Sequence, residues 1–560
     1  MDSPTAENTT RAELAGHSHV PLDGEEQTHS TAPDSALRVT LLLRRRRELP
    51  DLHTESGHQL PQQKTHINHA ALSGEYGAMP EDVAAIKRFA AEHELTVCES
   101  EHGLHRVVLS GRASAMETAF GVSLVEMRHR RGSYRAAIGA VSVPRELQHI
   151  VRAVIGLNTR PCARRKPVHH GSITPFWSVP KMAEAYGFPA ESGAAGQSIA
   201  LIELGGGYHN EDLQKFCASI GMPMPVVRCV AVDGAQNVPA SSEQIKEFLD
   251  VVEGKRQLSE IPVDVLASAQ ATVEVTMDLQ MAVALAPGAE IVVYMAPGTE
   301  QGILDAISLA ISDPKNLPSA ISISWGEPET GVSGAYLGSI DEVLHEAAML
   351  GVTVCASSGD EGAMNGATDG TPTVNFPASS PHALSCGGSS VHVAVDESLI
   401  ESAWNCSLHG MRGATGGGVS RNFDTPLWQQ EHNVPPSPTG SKGRGVPDVA
   451  GPADPHRGCA IVVGGECCSS AGTSAVAPMW AALVACVNAE LGARCGYITP
   501  LLYQLSTGAA NPLREITEGN NGFYHAGRGW NACTGLGSPH VMKLIAALRD
   551  GPGADSPQAS

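Results

Sequence analysis

The sequence has few aromatic residues, no long apolar run and a shortage of positive charge. Aromatic residues make up 4% of the 560 residues. No stretch approaches the roughly 18 consecutive apolar residues of a transmembrane helix, so we predict no membrane span. With 38 Lys and Arg against 59 Asp and Glu, the net charge of −21 is opposite to what phosphate binding requires. We therefore predict that nucleic acid is not a partner.

Export signals and paired cysteines are also missing. The first thirty residues, Met1 to Ser30, are polar and acidic and lack the apolar core of a signal peptide, so the sequence shows no classical export signal. The 13 cysteines are odd in number and scattered, and two of them, Cys467 and Cys468, are adjacent. We expect buried free thiols rather than disulfides.

The chain length and its 59 glycines favour two or more folded units with α/β character. Residues 1–35 are rich in Ser, Thr, Glu and His, and we predict them to be disordered. Residues 158–172 form a basic, proline-containing linker that suits processing, although a plain inter-domain tether has the same composition. Residues 549–560 are predicted to be a flexible tail.

Residues 36–157 are predicted to form a ferredoxin-like α+β domain, because their hydrophobic pattern runs in the order β-α-β-β-α-β. The elements are a strand over Leu37–Leu43, a helix over Pro80–Leu95, a hairpin over Thr96–Ser110, a helix over Ala113–Phe120 and a strand pair over 123–142.

Residues 173–548 are predicted to form an α/β domain with a parallel sheet and helices on both faces, because short apolar strands alternate with helical stretches. Between Asp233 and Ala271 lies a segment with a charged run, which we interpret as a surface excursion beside the cleft or as a tolerated insertion. The predicted strands are Ile199–Leu204, Ile291–Ala296, Ile321–Trp325 and Val352–Ala356.

The strongest chemical signal is the string from Gly472 to Pro478, in which Ser474 precedes an apolar helical run. A serine at the start of a helix has backbone N–H groups and the positive end of the helix dipole beside it, which suits a nucleophile whose reaction passes through an oxyanion. A helix N-cap serine is the alternative for the tripeptide alone. The full string is similar to the nucleophile motif of subtilisin-like proteins.

We look for the base that activates Ser474 among Asp and Glu side chains, because the histidine and aspartate motifs of subtilisins are missing. Glu274 and Asp278 are four residues apart, and on a helix they share a face about 6 Å apart along the axis. On a strand they would be about 13 Å apart, and two such acids are also typical of a solvated helix face. The apolar stretch from Met281 to Ala286 favours a buried segment.

Five motifs occur in order over residues 173–548, and together they resemble the sedolisin family of serine-carboxyl peptidases, most closely its kumamolisin-type members. The N-terminal unit is similar to the activation propeptide of that family, and the resemblance implies a subtilisin-like fold. The motifs are Ile202–Tyr208, Glu274 and Asp278 with Ala284–Gly288, Ser322–Gly326, Ser358–Asp360 and Gly472–Pro478.

The resemblance implies that Ser474 is the nucleophile, Glu274 its base and acid, Asp278 the residue that positions Glu274, and Asp360 the oxyanion-hole residue. Glu203 and Trp325 are implied to extend the hydrogen-bond network. A glutamate base stays competent in acid, whereas a histidine with a pKa of about 6.5 is protonated there. A protonated aspartate is able to donate a hydrogen bond to an oxyanion. We therefore expect an acid-active endopeptidase made as a zymogen.

The resemblance also implies a calcium site near the C-terminus, with departures from the family pattern. Ile516, Gly527 and Gly529 keep the main-chain ligand positions. Glu515 and Asn531 both stand where Asp is usual. Because carboxylate charge increases affinity for calcium, we expect the loss of one acid to weaken the site.

The expected partners are protein or peptide substrates and the chain's own propeptide as an intramolecular inhibitor. The resemblance implies a secreted, extracellular enzyme, and we expect a monomer. Two other hypotheses remain: an inactive pseudopeptidase that acts as a binding module, and a neutral-pH subtilisin. The four residues of the proposed site disfavour the first, and the missing histidine motif disfavours the second.

Overall fold

A computed structural model gives the fold of this chain. The predicted linker lies outside the described residues from residue 163 onward, and the predicted tail from residue 552 onward. The structure describes residues 10–53, 58–101, 105–129, 132–162, 176–189, 193–313, 316–367, 370–394, 398–409, 413–469, 472–508 and 511–551.

The N-terminal domain is ferredoxin-like, as predicted, but its last strand lies later than expected. Helices Pro80–Glu92 and Ala113–Phe120 pack on one face of a four-stranded antiparallel sheet. The pair expected over 123–142 instead belongs to a separate three-stranded sheet. The four strands are, in spatial order, Thr96–Glu101, Arg106–Arg112, Ala36–Leu43 and Val151–Ile155, and the separate sheet contains Glu26–Ser30, Ser123–His129 and Gly132–Ile138.

The prediction that residues 1–35 are disordered is wrong for residues 10–35. Strand Arg11–Glu13 pairs with Ser142–Pro144, and strand Glu26–Ser30 pairs with Ser123–His129. The Arg11 guanidinium also donates to the carbonyls of Ala119 and Ser142, each at 2.6 Å. Partners more than 90 residues away thus supply the hydrogen bonds that this polar segment lacks in isolation.

The second domain is built on an eight-stranded, mostly parallel sheet, as predicted. Alternate side chains of each central strand enter two separate apolar cores: Ile199 and Leu201 enter one, and Ala200 and Ile202 the other. The single antiparallel pairing of the sheet joins its last two strands. The strand order is Val227–Ala231, Glu290–Ala296, Ser198–Leu204, Ala320–Ile323, Thr353–Ser357, Leu384–Val393 and Leu399–Ala403, with Val449–Pro452 also pairing with Leu384–Val393.

Helices cover both faces of this sheet. Helices Glu300–Ser312 and Gly334–Met349 lie on one face and also contact the N-terminal domain, since Leu42, Ala153 and Ile155 join their apolar cluster. The other face carries Val179–Tyr186, Asn210–Ser219, Ser242–Val252, Val263–Leu285, Thr473–Leu491, Thr499–Ser506 and Val541–Asp550. Short pairs complete the domain: Glu327–Pro328 with Asn375–Phe376, Gly418–Val419 with Gly445–Val446, Ala460–Val463 with Glu466–Ser469, and Leu513–Arg514 with Ser538–Pro539.

The segment between Asp233 and Ala271 is largely at the surface, but it contains a helix that packs on the core. Its helix Ser242–Val252 buries Ile245, Phe248 and Leu249 against the main apolar cluster. All 13 cysteines lie within the described residues as free thiols, and only Cys98, Cys229 and Cys467 are exposed.

One helix among the described residues, Thr473–Leu491, is long and apolar enough to cross a membrane. Its most apolar window is 83% buried inside the protein. The apolar residues of this helix therefore belong to the core of the second domain.

Candidate active site

Three of the predicted site residues lie at the carboxyl edge of the parallel sheet. Glu203 lies one residue before the end of its strand, Trp325 two residues after the end of the next, and Asp360 three residues after the end of a third. Carboxyl ends of neighbouring parallel strands share one edge, where α/β proteins build their sites. Ser474 comes to this region at the start of helix Thr473–Leu491.

Glu274 and Asp278 lie on one continuous helix, Val263–Leu285, so the strand alternative is wrong. Both side chains are buried, with 0% and 1% of their surface exposed. The helix is buried all round from Glu274 onward, which rules out a solvated acidic face. Buried carboxylates are rare unless they are paired or have a function.

Ser474 is the second residue of its helix and not its N-cap, which is Gly472. Gly472 has φ of +81°, a left-handed conformation that favours glycine and sets the sharp entry into the helix. The Ser474 hydroxyl donates to the carbonyl oxygen of Ser324 at 3.4 Å. A hydrogen bond of this length is weak and is readily exchanged for another acceptor.

Ser324 links Ser474 to Asp278, although sequence analysis gave it no role. Its hydroxyl donates to Asp278 Oδ2 and lies 3.2 Å from the carbonyl oxygen of Ser474. Ser324 is 5% exposed. The sequence feature that points to a role for Ser324 is its place in the Ser322–Gly326 motif beside Trp325.

Asp360 lies against the start of the Ser474 helix. Its Oδ1 accepts hydrogen bonds from Thr473 N at 2.7 Å and from Thr473 Oγ1 at 2.9 Å. Its Oδ2 borders Gly472, where an added Cβ would lie 2.5 Å from this oxygen. One oxygen of this carboxyl group therefore accepts hydrogen bonds from Thr473, and the other lies beside Gly472 at the start of the helix.

Glu203 and Trp325 form a second buried contact at this edge. Trp325 Nε1 donates to Glu203 Oε2 at 3.0 Å. Glu203 is 0% exposed and Trp325 is 6% exposed. The pair is therefore placed to hold the strand ends together beneath the site.

The residues of the implied calcium site do not present a calcium ligand set. The side-chain amide of Asn531 donates to the carbonyls of Ile516 and Gly527, at 3.3 and 3.2 Å. Glu515 Oε1 accepts from the main-chain nitrogen of Gly529 at 3.1 Å. Calcium takes six to eight oxygen ligands, whereas these carbonyls face an N–H donor. No cluster of three or more metal-binding His, Cys, Asp or Glu side chains occurs within the described residues.

Comparisons with known proteins agree with this architecture. The family described as Pro-kumamolisin, activation domain, matches residues 23–160, and the subtilase family matches residues 266–500. The chain is 40% identical to kumamolisin of Bacillus sp. (strain MN-32), over 98% of each chain. It is 27% identical to sedolisin of Pseudomonas sp. (strain 101), covering 80% of this chain and 75% of that one.

A solved structure supports the fold. Pseudomonas sedolisin, a serine-carboxyl proteinase complexed with two molecules of pseudo-iodotyrostatin, superposes with a TM-score of 0.55 at 24% identity. The match covers 68% of this chain and 99% of that chain.

Fold, site and comparisons define a serine-type peptidase with a subtilisin-like catalytic domain and an activation domain. The chain belongs to the sedolisin family of serine-carboxyl peptidases, together with kumamolisin.

Proposed function

We propose that this chain is an acid-active endopeptidase made as a zymogen, with Ser474 as nucleophile and Glu274 as base. One observation carries the proposal: Ser324 lies between the two groups, because its buried hydroxyl donates to Asp278, on the carboxylate helix, and its carbonyl oxygen accepts from the Ser474 hydroxyl at 3.4 Å. Ser474 and Asp278 thereby belong to one hydrogen-bonded unit at the carboxyl edge of the sheet. No observation favours the binding-module alternative.

In this mechanism the Ser474 hydroxyl exchanges the Ser324 carbonyl for the Glu274 carboxylate as its acceptor. Ser474 Oγ then attacks the scissile carbonyl while its proton passes to Glu274. The C–N bond breaks when Glu274 returns that proton to the leaving amine, which leaves an acyl-enzyme that water hydrolyses by the reverse roles. Asp278, held by Ser324, fixes the position of Glu274.

Asp360 is proposed to stabilise the oxyanion as a protonated acid. Because Oδ1 already accepts two hydrogen bonds from Thr473, the acid proton belongs on Oδ2, the oxygen that borders Gly472. A carboxylic acid donates from that oxygen, whereas a carboxylate would repel the developing charge. This requirement, together with a carboxylate base, points to activity in acid.

The N-terminal domain is proposed to act as an inhibitory propeptide comprising residues 36–157, with processing within residues 158–172. At its end, Cys162 N donates to the carbonyl of Gly298, which follows a sheet strand at its carboxyl end. Arg160 pairs with Glu327 at 3.7 Å, just past another strand end. The chain thus enters the linker along the edge that carries the proposed site.

The docked domain is held by ionisable groups that respond to acid. Arg45 and Arg106 of the N-terminal domain contact the buried Glu346 of the peptidase domain, at 2.6 and 3.0 Å. The histidine stack, composed of His53, His345 and His382, also crosses this interface. We propose that protonation of His53 and His345 weakens docking in acid and starts processing.

The proposed substrates are proteins or peptides, and the enzyme is proposed to act as a monomer outside the cell. The catalytic domain is taken as residues 173–548. The calcium ion implied by the resemblance has no part in this mechanism, because the Asn531 amide donates to two of the carbonyls that would be its ligands.

Cleavage measured across pH 3–8 tests the function, with Ser474→Ala as the decisive variant. We expect an acid optimum for the wild type, and no peptide cleavage and no self-processing for Ser474→Ala, because the nucleophile is removed. Ser506→Ala, at the end of a different helix, is the control and should behave as wild type. If Ser474→Ala were processed at the wild-type rate, Ser474 would not be the nucleophile. If the wild type cleaved peptide at no pH, the result would support a binding module.

A further inference from the structure

The loop between Glu515 and Gly535 is closed by the side chain of Asn531, which is 7% exposed. Its amide nitrogen points at three main-chain carbonyl oxygens, those of Ile516 at 3.3 Å, Gly527 at 3.2 Å and Gly535 at 3.5 Å. Ile516 lies near the start of this loop, and Gly527 lies in its second half. The amide therefore connects two parts of the loop that are distant in the sequence.

The orientation of the amide is fixed by its other end. Asn531 Oδ1 accepts from Cys533 N at 3.1 Å, from Thr534 N at 3.0 Å and from Thr534 Oγ1 at 3.1 Å. Turning the amide over would set its hydrogens against the two N–H donors and its oxygen against the carbonyls. Only one of the two orientations satisfies both sides.

We propose that the Asn531 amide takes the place of a cation in this loop, so that the fold of this enzyme does not depend on calcium. An aspartate in the same position would set a charged oxygen against the carbonyls of Ile516 and Gly527, and a divalent cation would be required between them. The amide hydrogens satisfy the same carbonyls without an ion. Glu515, which accepts from Gly529 N at 3.1 Å, completes the loop in the same ion-free manner.

This inference does not depend on the catalytic proposal, since it concerns the stability of a loop. The test uses the full-length chain at neutral pH, with thermal unfolding in EGTA and in CaCl2 and with elemental analysis of bound calcium. For the wild type we expect the same melting temperature in both solutions and no stoichiometric calcium. A wild-type melting temperature that falls on chelation, or one calcium per chain, would overturn the proposal.

Asn531→Asp provides the converse test. In EGTA we expect its melting temperature to fall by roughly 5 °C, because the carboxylate oxygen that replaces the amide nitrogen would face carbonyl oxygens without a donor. CaCl2 should restore most of the loss, with one calcium bound per chain. A variant whose melting temperature ignores calcium would count against the proposal.

Asn521→Asp is the matched control for loss of amide donors. Asn521 is a second buried asparagine of this loop, 1% exposed, and its amide nitrogen donates to the carbonyl of Ala532 at 3.1 Å. We expect its destabilisation to persist in CaCl2. Equal rescue of both variants by calcium would contradict a specific role for Asn531. If neither aspartate variant folds, the wild-type chelation result still decides the question.

Discussion

The imidazole of His53, from the N-terminal domain, stacks on the imidazole of His382, from the peptidase domain, with ring centroids 5.2 Å apart and planes inclined by 23°. His345 stacks on the same His382 at 4.2 Å. His53 Nδ1 accepts a hydrogen bond from Trp428 Nε1 at 3.1 Å and lies 2.9 Å from Tyr497 OH. Because an indole N–H only donates, the docked form of His53 has no proton on Nδ1.

Burial and the neighbouring His382 lower the pKa of His53 to about 4 and that of His345 to about 3. A histidine released to water has a pKa of about 6.5, so the separated domains bind more protons than the docked ones between these values. We therefore expect docking to be strongest above pH about 6.5 and to weaken as the pH falls towards 4. The other charged groups that face the stack are Asp51, Asp341, Arg45 and Arg444.

The first prediction is that His53→Asn makes self-processing less dependent on pH. Asparagine keeps an acceptor for Trp428 but does not titrate, so one proton-linked group is lost. We expect the slope of log processing rate against pH to fall by up to about one between pH 4 and 6.5. The measurement is the rate of precursor loss at a series of pH values.

His149→Asn is the matched control, because His149 is exposed on the same domain. Its slope should match the wild type. If the slope for His53→Asn is the same as for the wild type, His53 is not part of the acid trigger, even if the processing rate at one pH changes.

The second prediction is that Glu346→Gln loosens the docked domain at neutral pH. Burial of Glu346 opposes ionisation, but Arg106 and Arg45 outweigh it and hold the pKa of this carboxyl below its usual range. Its contribution to docking is thus present above pH about 4.5 and is lost as the pH falls below that value. Removing the charge leaves the buried Arg106 without its carboxylate and Arg45 with only the more distant Glu342, at 3.8 Å, and breaking a buried pair costs about 3–5 kcal/mol.

Hydrogen exchange at pH 7 measures this loosening. In Glu346→Gln we expect faster exchange in strand Val151–Ile155 of the docked domain and unchanged exchange in helix Thr473–Leu491. Arg112→Gln, which removes an exposed pair with Glu94, is the control and should change neither. Unaltered exchange in Glu346→Gln would show that the buried cluster does not hold the domain.

Local pattern predicted the units of this fold but not the long-range pairings between them. The helix with Glu274 and Asp278 and the parallel sheet followed from hydrophobic periodicity and ordered motifs. Residues 10–35 carry no such periodicity, and their strands exist because partners about a hundred residues away are in reach. The helix Ser242–Val252 was likewise hidden by its charged face, although its apolar face is buried.

The sequence also did not predict which charged side chains form ion pairs with one another. Arg44 pairs with Asp82 and Arg128 with Glu26, both within the N-terminal domain. Arg45 alone of these three reaches Glu346 across the interface. Composition records how many charges are available, whereas the packed arrangement decides which of them meet.

The third prediction concerns the proposed role of Asp360 in stabilising the oxyanion. Asp360→Ala should lower kcat by on the order of a hundredfold or more with a smaller change in KM, the usual size for loss of one oxyanion donor. Asp360→Asn keeps an acceptor for Thr473 and donates at every pH, so its kcat should fall less and its activity should extend further towards neutral pH. An Asp360→Asn profile identical in shape to the wild type would contradict a titrating donor at this position.

The last prediction is that Ser324 positions the catalytic carboxylates. Ser324→Ala removes the donor to Asp278 Oδ2, and hydrogen bonds to charged groups are worth about 1.5–3 kcal/mol. We expect kcat to fall by roughly tenfold to a hundredfold, with little change in KM, because the carboxylate pair is less well held while the cleft keeps its shape. Ser324→Thr retains the hydroxyl and should recover part of the rate. Ser322→Ala, on the strand two residues earlier, is the control and should keep its kcat. A Ser324→Ala enzyme with wild-type kcat, or one that loses activity only through a lower melting temperature, would leave Ser324 without a role in holding Asp278.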